Sequence, residues 1–147
     1  LVLLIEGRGW LCGRKSVEGI LCARPFNFRI SLTMLAKIQP SDTFKANLAL
    51  LPPIDGIAQI DLVDETGDVV HNIANQPGKQ GSLALYHYLQ QSCGTLDAEA
   101  AEHGLQIFSE HVREAQNHPG AHPNVDLLLA IVAGAPALRI EVIRTNA

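Results

Sequence analysis

The chain has 147 residues, 47% of them apolar and 18% charged, and its 11 Lys and Arg against 15 Asp and Glu leave a net charge of −4. That length can bury one real core, the apolar share excludes wholesale disorder, and the acidic balance disfavours a nucleic-acid backbone as partner. Three cysteines without framework spacing exclude a disulfide-stapled scaffold, and no apolar run approaches the roughly 18 residues of a membrane span.

The composition breaks near Met34, the only Met. Residues 1–33 hold five basic groups (Arg8, Arg14, Lys15, Arg24, Arg29) and two acidic ones (Glu6, Glu18), whereas the remainder holds six basic and thirteen acidic. All six His lie after the break. Gly7, Gly9, Gly13 and Gly19 interrupt every early run, so neither a helical nor a strand period survives. No basic region precedes the apolar stretch Leu1 to Ile5, as a secretory signal requires, and Glu6 and Glu18 count against a transit peptide. Residues 1–33 are therefore expected to be a gene-start artefact or a disordered arm, and residues 34–147 a single α+β domain.

From Met34 the pattern predicts seven elements. Ser41 caps a helix over 42–51, with Phe44, Leu48 and Leu51 four and three apart, and Pro52-Pro53 stops it. Ile57 to Asp64 alternates apolar and polar, Asp64-Glu65-Thr66-Gly67-Asp68 supplies a turn, and Val69 to Ile73 returns as a hairpin. After a loop over 75–82, Ser82 caps a helix over 83–92 and Gly94 ends it. Thr95 then caps a longer helix over 96–117, whose stripe is Ala101, Leu105, Phe108, Val112 and Ala115. Asn124 caps a helix to about Ala133 whose centre is apolar all round, so it is either fully buried or a strand. Leu138, Ile140 and Val142 alternate with Arg139 and Glu141 as a last strand. The fold expected is α+β: a small three-stranded, mostly antiparallel sheet, made of the hairpin and the C-terminal strand, with helices packed on one face.

The loop over 75–82 is the first candidate site. It follows a strand, opens a helix and contains Gly78, Lys79, Gln80, Gly81 and Ser82. Unpaired N–H groups at a helix start favour an anion, and Lys79 adds a cation. The spacing matches neither the phosphate-binding P-loop nor the dinucleotide fingerprint, so the same residues also fit a plain connection whose glycines serve the turn. His87, on the next helix, could move a proton beside a ligand held there, or it could be a polar-face residue.

The histidines near the long helix are the second candidate. His111 and Glu114 are three apart and can share a face, with His118 close behind. Pro119 and Gly120 separate His118 from His122, so these two cannot be the helical pair of a zinc protease motif. A metal site of His111, Glu114 and His118 stands against a solvated helix end favoured by the dipole. Cys93, at a helix C-terminus, reads as a small apolar residue rather than a thiolate nucleophile.

The stretches Ile57-Ala58-Gln59-Ile60-Asp61-Leu62 and Asn75-Gln76-Pro77-Gly78-Lys79-Gln80-Gly81-Ser82-Leu83 resemble a family of small bacterial proteins designated only as a domain of unknown function, DUF2322. The resemblance runs from about Met34 to the C-terminus. It implies a bacterial cytoplasmic protein and supplies no activity, substrate, cofactor or catalytic residue. With no nucleophile, base and orienting group paired along the chain, the leading expectation is non-catalytic: binding of a protein partner or a small anion through the loop over 75–82. The alternatives are an enzyme that holds a phosphorylated or carboxylated metabolite with Lys79 and moves a proton with His87, and a weak metal binder. A homodimer would protect the open edge of a short sheet.

Overall fold

Residues 35–146 are described by a computed structural model. Its centre is the hairpin. The alternating residues Ile57–Val63 form β1 and Val69–Ala74 form β2, paired antiparallel. The turn between them is closed by its own acid. Asp64 Oδ1 accepts from the Thr66 hydroxyl at 2.6 Å, the Thr66 N–H at 2.9 Å and the Asp68 N–H at 3.1 Å, while Gly67 takes a φ of 95°. Those donors, Thr66 Oγ first, hold the Asp64 carboxyl below the usual carboxylate range.

The C-terminal run forms β4 (Leu138–Arg144) on the other side of β1, and Thr95–Leu96 adds β3 beyond it. The sheet is antiparallel throughout, in the order β2-β1-β4-β3. It has four strands where the sequence predicts three. The extra strand is two residues long, too short to show any alternation, and it follows Gly94, whose positive φ of 78° is also what a helix stop requires. Ile60, Leu62, Ile73, Leu138 and Ile140 are buried on one side of the sheet; Asn72 and Arg139, on alternate positions, are exposed.

α2 (Gln80–Cys93) contacts all four strands on one side and α1 and α3 on the other. That position explains why Leu83, Leu85, Tyr86, His87, Tyr88 and Leu89 are all buried around the helix, rather than one stripe of it. Burying each of these large apolar side chains contributes roughly 1.5–3 kcal/mol. An extended segment from Leu35 is anchored to the same helix: the Leu35 N–H donates to Gln91 O, and the Ile38 N–H donates to the Tyr88 hydroxyl at 2.8 Å.

The single long helix expected over 96–117 is two helices, α3 (Ala98–Phe108) and α4 (Glu110–Asn117). They part at Ser109, at φ 50° and ψ −113°, an uncommon backbone for a residue with a Cβ. Ser109 is held there by its hydroxyl, which donates to Asp42 O at 2.6 Å, and Glu110 accepts the Phe44 N–H at 2.8 Å. The break therefore serves α1 (Phe44–Leu48). The apolar residues at 101, 105, 108, 112 and 115 keep a helical spacing across it, so their pattern conceals the break. α5 (Pro123–Val132) is a helix, not a strand; Val125, Leu128 and Ile131 are buried against α3, and Val132 is exposed.

Capping differs from expectation at every helix start. Thr43 rather than Ser41 caps α1, and Asp97 rather than Thr95 caps α3, its carboxylate accepting the Ala100 N–H at 2.9 Å. His122 rather than Asn124 precedes α5. Lys79 rather than Ser82 precedes α2, which begins one turn earlier than the sequence pattern indicates. The expectation for residues 1–33 lies outside the described residues.

Candidate functional site

The turn from β2 into α2 is fixed by Asn75, whose amide donates to Ile57 O at 2.8 Å, and by Gly78, at a φ of 84°. The Lys79 side chain makes no capping hydrogen bond, so no side chain of the cap satisfies the first N–H groups of α2. Gly81 sits in that first turn because a Cβ there would lie 3.0 Å from the Phe44 ring. The close approach draws α1 against α2.

Between these elements lies a cavity of about 710 Å³. Gly78, Lys79, Gln80, Gly81 and Ser82 all line it, whereas Asn75, Gln76 and Pro77 of the predicted loop over 75–82 do not. The facing wall is built from Phe44 and Phe108, with ring centroids 5.1 Å apart, and from His111, whose ring meets Phe44 edge-on at 5.0 Å. His71 of β2 and His122 and Asn124 at the start of α5 complete it. His71 Nε2 lies 2.8 Å from Asn124 Oδ1, and the Tyr86 hydroxyl donates to Asn124 O at 2.7 Å. Complete burial pushes that phenol far above its ordinary range and leaves it a structural donor. The lining carries Lys79 and three histidines and no carboxylate, in a chain with more acids than bases.

His87 does not join this lining. It is buried in α2, with Nε2 3.1 Å from Gln91 Nε2 and Nδ1 without a hydrogen-bond partner. Lys79 and His87 are therefore not brought to one cavity as the enzyme alternative requires. Burial, reinforced by Arg144 and opposed by the Pro53 backbone, lowers the His87 pKa. His103 is lowered too, by burial and by Lys37, with Gln106 and Glu99 opposing; its Nε2 lies 2.8 Å from the Tyr88 hydroxyl. Both rings take up a proton less readily in the fold than in the unfolded chain, where the ordinary value is near 6.5. The stability they contribute is thus complete above that value and is lost as pH falls through the lower, folded values. Urea midpoints should fall between pH 7 and pH 5, and the fall should be shallower in the double variant His87→Gln, His103→Gln.

The second histidine group assembles with one substitution. His118, at the C-cap of α4, is exposed and outside the cavity; His122 takes the place expected for it. Glu114 Oε2 is 2.9 Å from His122 Nε2 and 3.6 Å from His111 Nδ1. His122 first, and His111 after it, hold the Glu114 carboxyl below the usual range. Sequence spacing passes over His122 because Pro119 and Gly120 rule out a helix there. It does not anticipate a turn that folds back. His71 had a signal: it is two residues from Ile73 and so shares the buried side of β2.

Fold and site together define a small α+β domain with a four-stranded antiparallel sheet and a cavity lined by Lys79, three histidines and two phenylalanines. Among the described residues, no helix is long and apolar enough to cross a membrane. Residues 44–142 match the family described as an uncharacterized protein conserved in bacteria, DUF2322, and the chain belongs to that family. No curated protein and no solved structure matches the chain.

Proposed function

We propose that residues 34–147 form a single domain that binds a small anionic ligand, a carboxylate or a phosphate, in the cavity beside Gly78–Ser82. The observation that carries this reading is the lining: the start of a 14-residue helix, Lys79 and three histidines, with no carboxylate among them. Partial positive charge at the helix start and a flexible ammonium group suit an anion, and imidazole N–H groups can add directional donors. Phe44 and Phe108 give the ligand an apolar wall, as most small-molecule sites have.

Thermal denaturation against inorganic phosphate, sulfate and small dicarboxylates tests it. A ligand at a hundredfold over its dissociation constant stabilises by about 2.7 kcal/mol and raises the melting temperature. Lys79→Ala, at an exposed position, should remove most of that rise without altering the unliganded melting temperature. A rise that survives Lys79→Ala, or none with any anion, leaves the cavity without this role.

A protein partner is the second reading. It rests on β2, an edge strand whose Val69 and Val70 are more than half exposed, at 55% and 52%.

A further inference from the structure

We propose that His111, Glu114 and His122 bind a divalent transition metal of the zinc class beside this cavity, with Glu114 outside its lining. His111 and Glu114 lie three apart in α4 and share its face. The turn after α4 sets His122 against them, and it is held by the Gly120 N–H donating to Asp126 Oδ2 at 2.8 Å and the Ala121 N–H donating to His118 O at 3.1 Å. The three ligand atoms, His111 Nδ1, His122 Nε2 and a Glu114 oxygen, lie within 4.8 Å of one another.

The state of the two nitrogens points to an ion. Both are shielded from solvent and neither makes a hydrogen bond: the Glu114 oxygen is 3.6 Å from His111 Nδ1, too far for one, and 2.9 Å from His122 Nε2, an ion-pair distance without hydrogen-bond geometry. A buried polar atom without a partner is costly, because it has given up water for nothing. Two converge here on one carboxylate, and an ion bound by all three groups satisfies them together. The rings are also pre-set: the His111 and His122 centroids are 5.2 Å apart, and Phe44 supports His111 from the side.

Donor chemistry selects the metal. Two imidazoles exclude a calcium or magnesium site, which is built from oxygens, and suit zinc, cobalt or nickel. Two His and one Glu are three protein ligands, the number that leaves a further coordination position for water or a ligand. The cavity borders both rings. Metal binding itself stands or falls apart from the anion reading, because the three ligands need nothing from Lys79.

The test is a titration of the tag-free, chelator-treated full chain with Co²⁺, followed by visible absorption, with Zn²⁺ added to displace it. A saturable visible band at one equivalent, bleached by Zn²⁺, is expected. Glu114→Gln and His122→Ala should each weaken Co²⁺ binding about tenfold or more, since even an outer-sphere partner is worth 10–100-fold. His118→Ala should leave binding unchanged. Far-UV circular dichroism checks each fold, and Glu114→Gln, at a side chain 58% exposed, decides the matter if His122→Ala unfolds. No band in excess Co²⁺, or an equal loss in His118→Ala, overturns the assignment.

Discussion

Replacing Asn47 with alanine should lower the stability of the domain by about 3 kcal/mol, close to the upper end of what one lost buried polar side chain costs. Asn47 is fully buried in the short helix α1. Its amide donates to Ile107 O at 2.8 Å and to Ser41 O at 3.2 Å, and its oxygen accepts the Ser41 N–H. Alanine leaves the buried Ile107 carbonyl, in the last turn of α3, without this donor, and adds a void the size of the missing amide. Against a total of 5–15 kcal/mol for a domain this size, the urea midpoint should fall by on the order of 2 M. Asn47→Asp separates hydrogen bonding from volume. The carboxylate keeps the shape but cannot donate, so at pH 7 it should destabilise at least as much as alanine. Burial among carbonyl acceptors raises its folded pKa, so its penalty should shrink as the pH is lowered and the carboxyl gains a proton. An alanine variant with an unchanged midpoint would mean that α1 is not tied to α3 through this side chain. The same variant probes the cavity, because Asn47 fixes the helix that carries Phe44 and Leu48 into its wall.

Much of the fold was legible because its signals are local. The hairpin is written in the alternation of Ile57 to Val63 and in the Asp64 to Asp68 turn, and the observed register puts Val63 opposite Val69. What failed was decided by tertiary contacts. Nothing near Ser109 announces a helix break; the hydroxyl bond to Asp42 O, 67 residues back in the chain, imposes it. β3 exists because two residues happen to meet β4. The apolar centre of α5 carries no single stripe in its sequence, although its contacts with α3 and α4 bury Val125, Leu128 and Ile131 and leave Val132 exposed.

The site divides in the same way. The loop over 78–82 could be found, since a glycine-flanked lysine at a helix start has local meaning. Its opposite wall could be found only in pieces, His111 by its spacing from Glu114 and His71 by its place on β2, because Phe44, His71, His111 and His122 are brought together by tertiary folding alone. His87 misled for a related reason. Helical spacing puts it two turns from Lys79, but α2 is buried nearly all round, so its position on the helix says little about where its ring points.

Replacing Gly104 with leucine should be as damaging as losing Asn47, through overpacking rather than a lost bond. Gly104 lies where α3 meets both α2 and α5. A Cβ there would stand 2.9 Å from Leu128 Cδ1, 3.1 Å from Leu89 Cδ1 and 3.5 Å from Leu85 Cδ2. Those three leucines are fully buried. Alanine should be nearly neutral, because roughly 1 kcal/mol of helix propensity offsets the tight contact and leucine ends can shift by tenths of an ångström. Leucine adds three more carbons with no space to receive them, and should destabilise by about 3 kcal/mol as a helix is pushed outward. The contact makes a sharper prediction. Leu128→Ala alone should cost 2–5 kcal/mol by opening a cavity, yet combined with Gly104→Leu it should restore part of the loss, because the new side chain occupies the vacated volume. Chemical denaturation of the four proteins gives the coupling directly. If the two losses simply add, α3 and α5 do not meet at Gly104 and the packing that positions the cavity's α5 wall is different. If they compensate, the glycine is there to let three helices share one point.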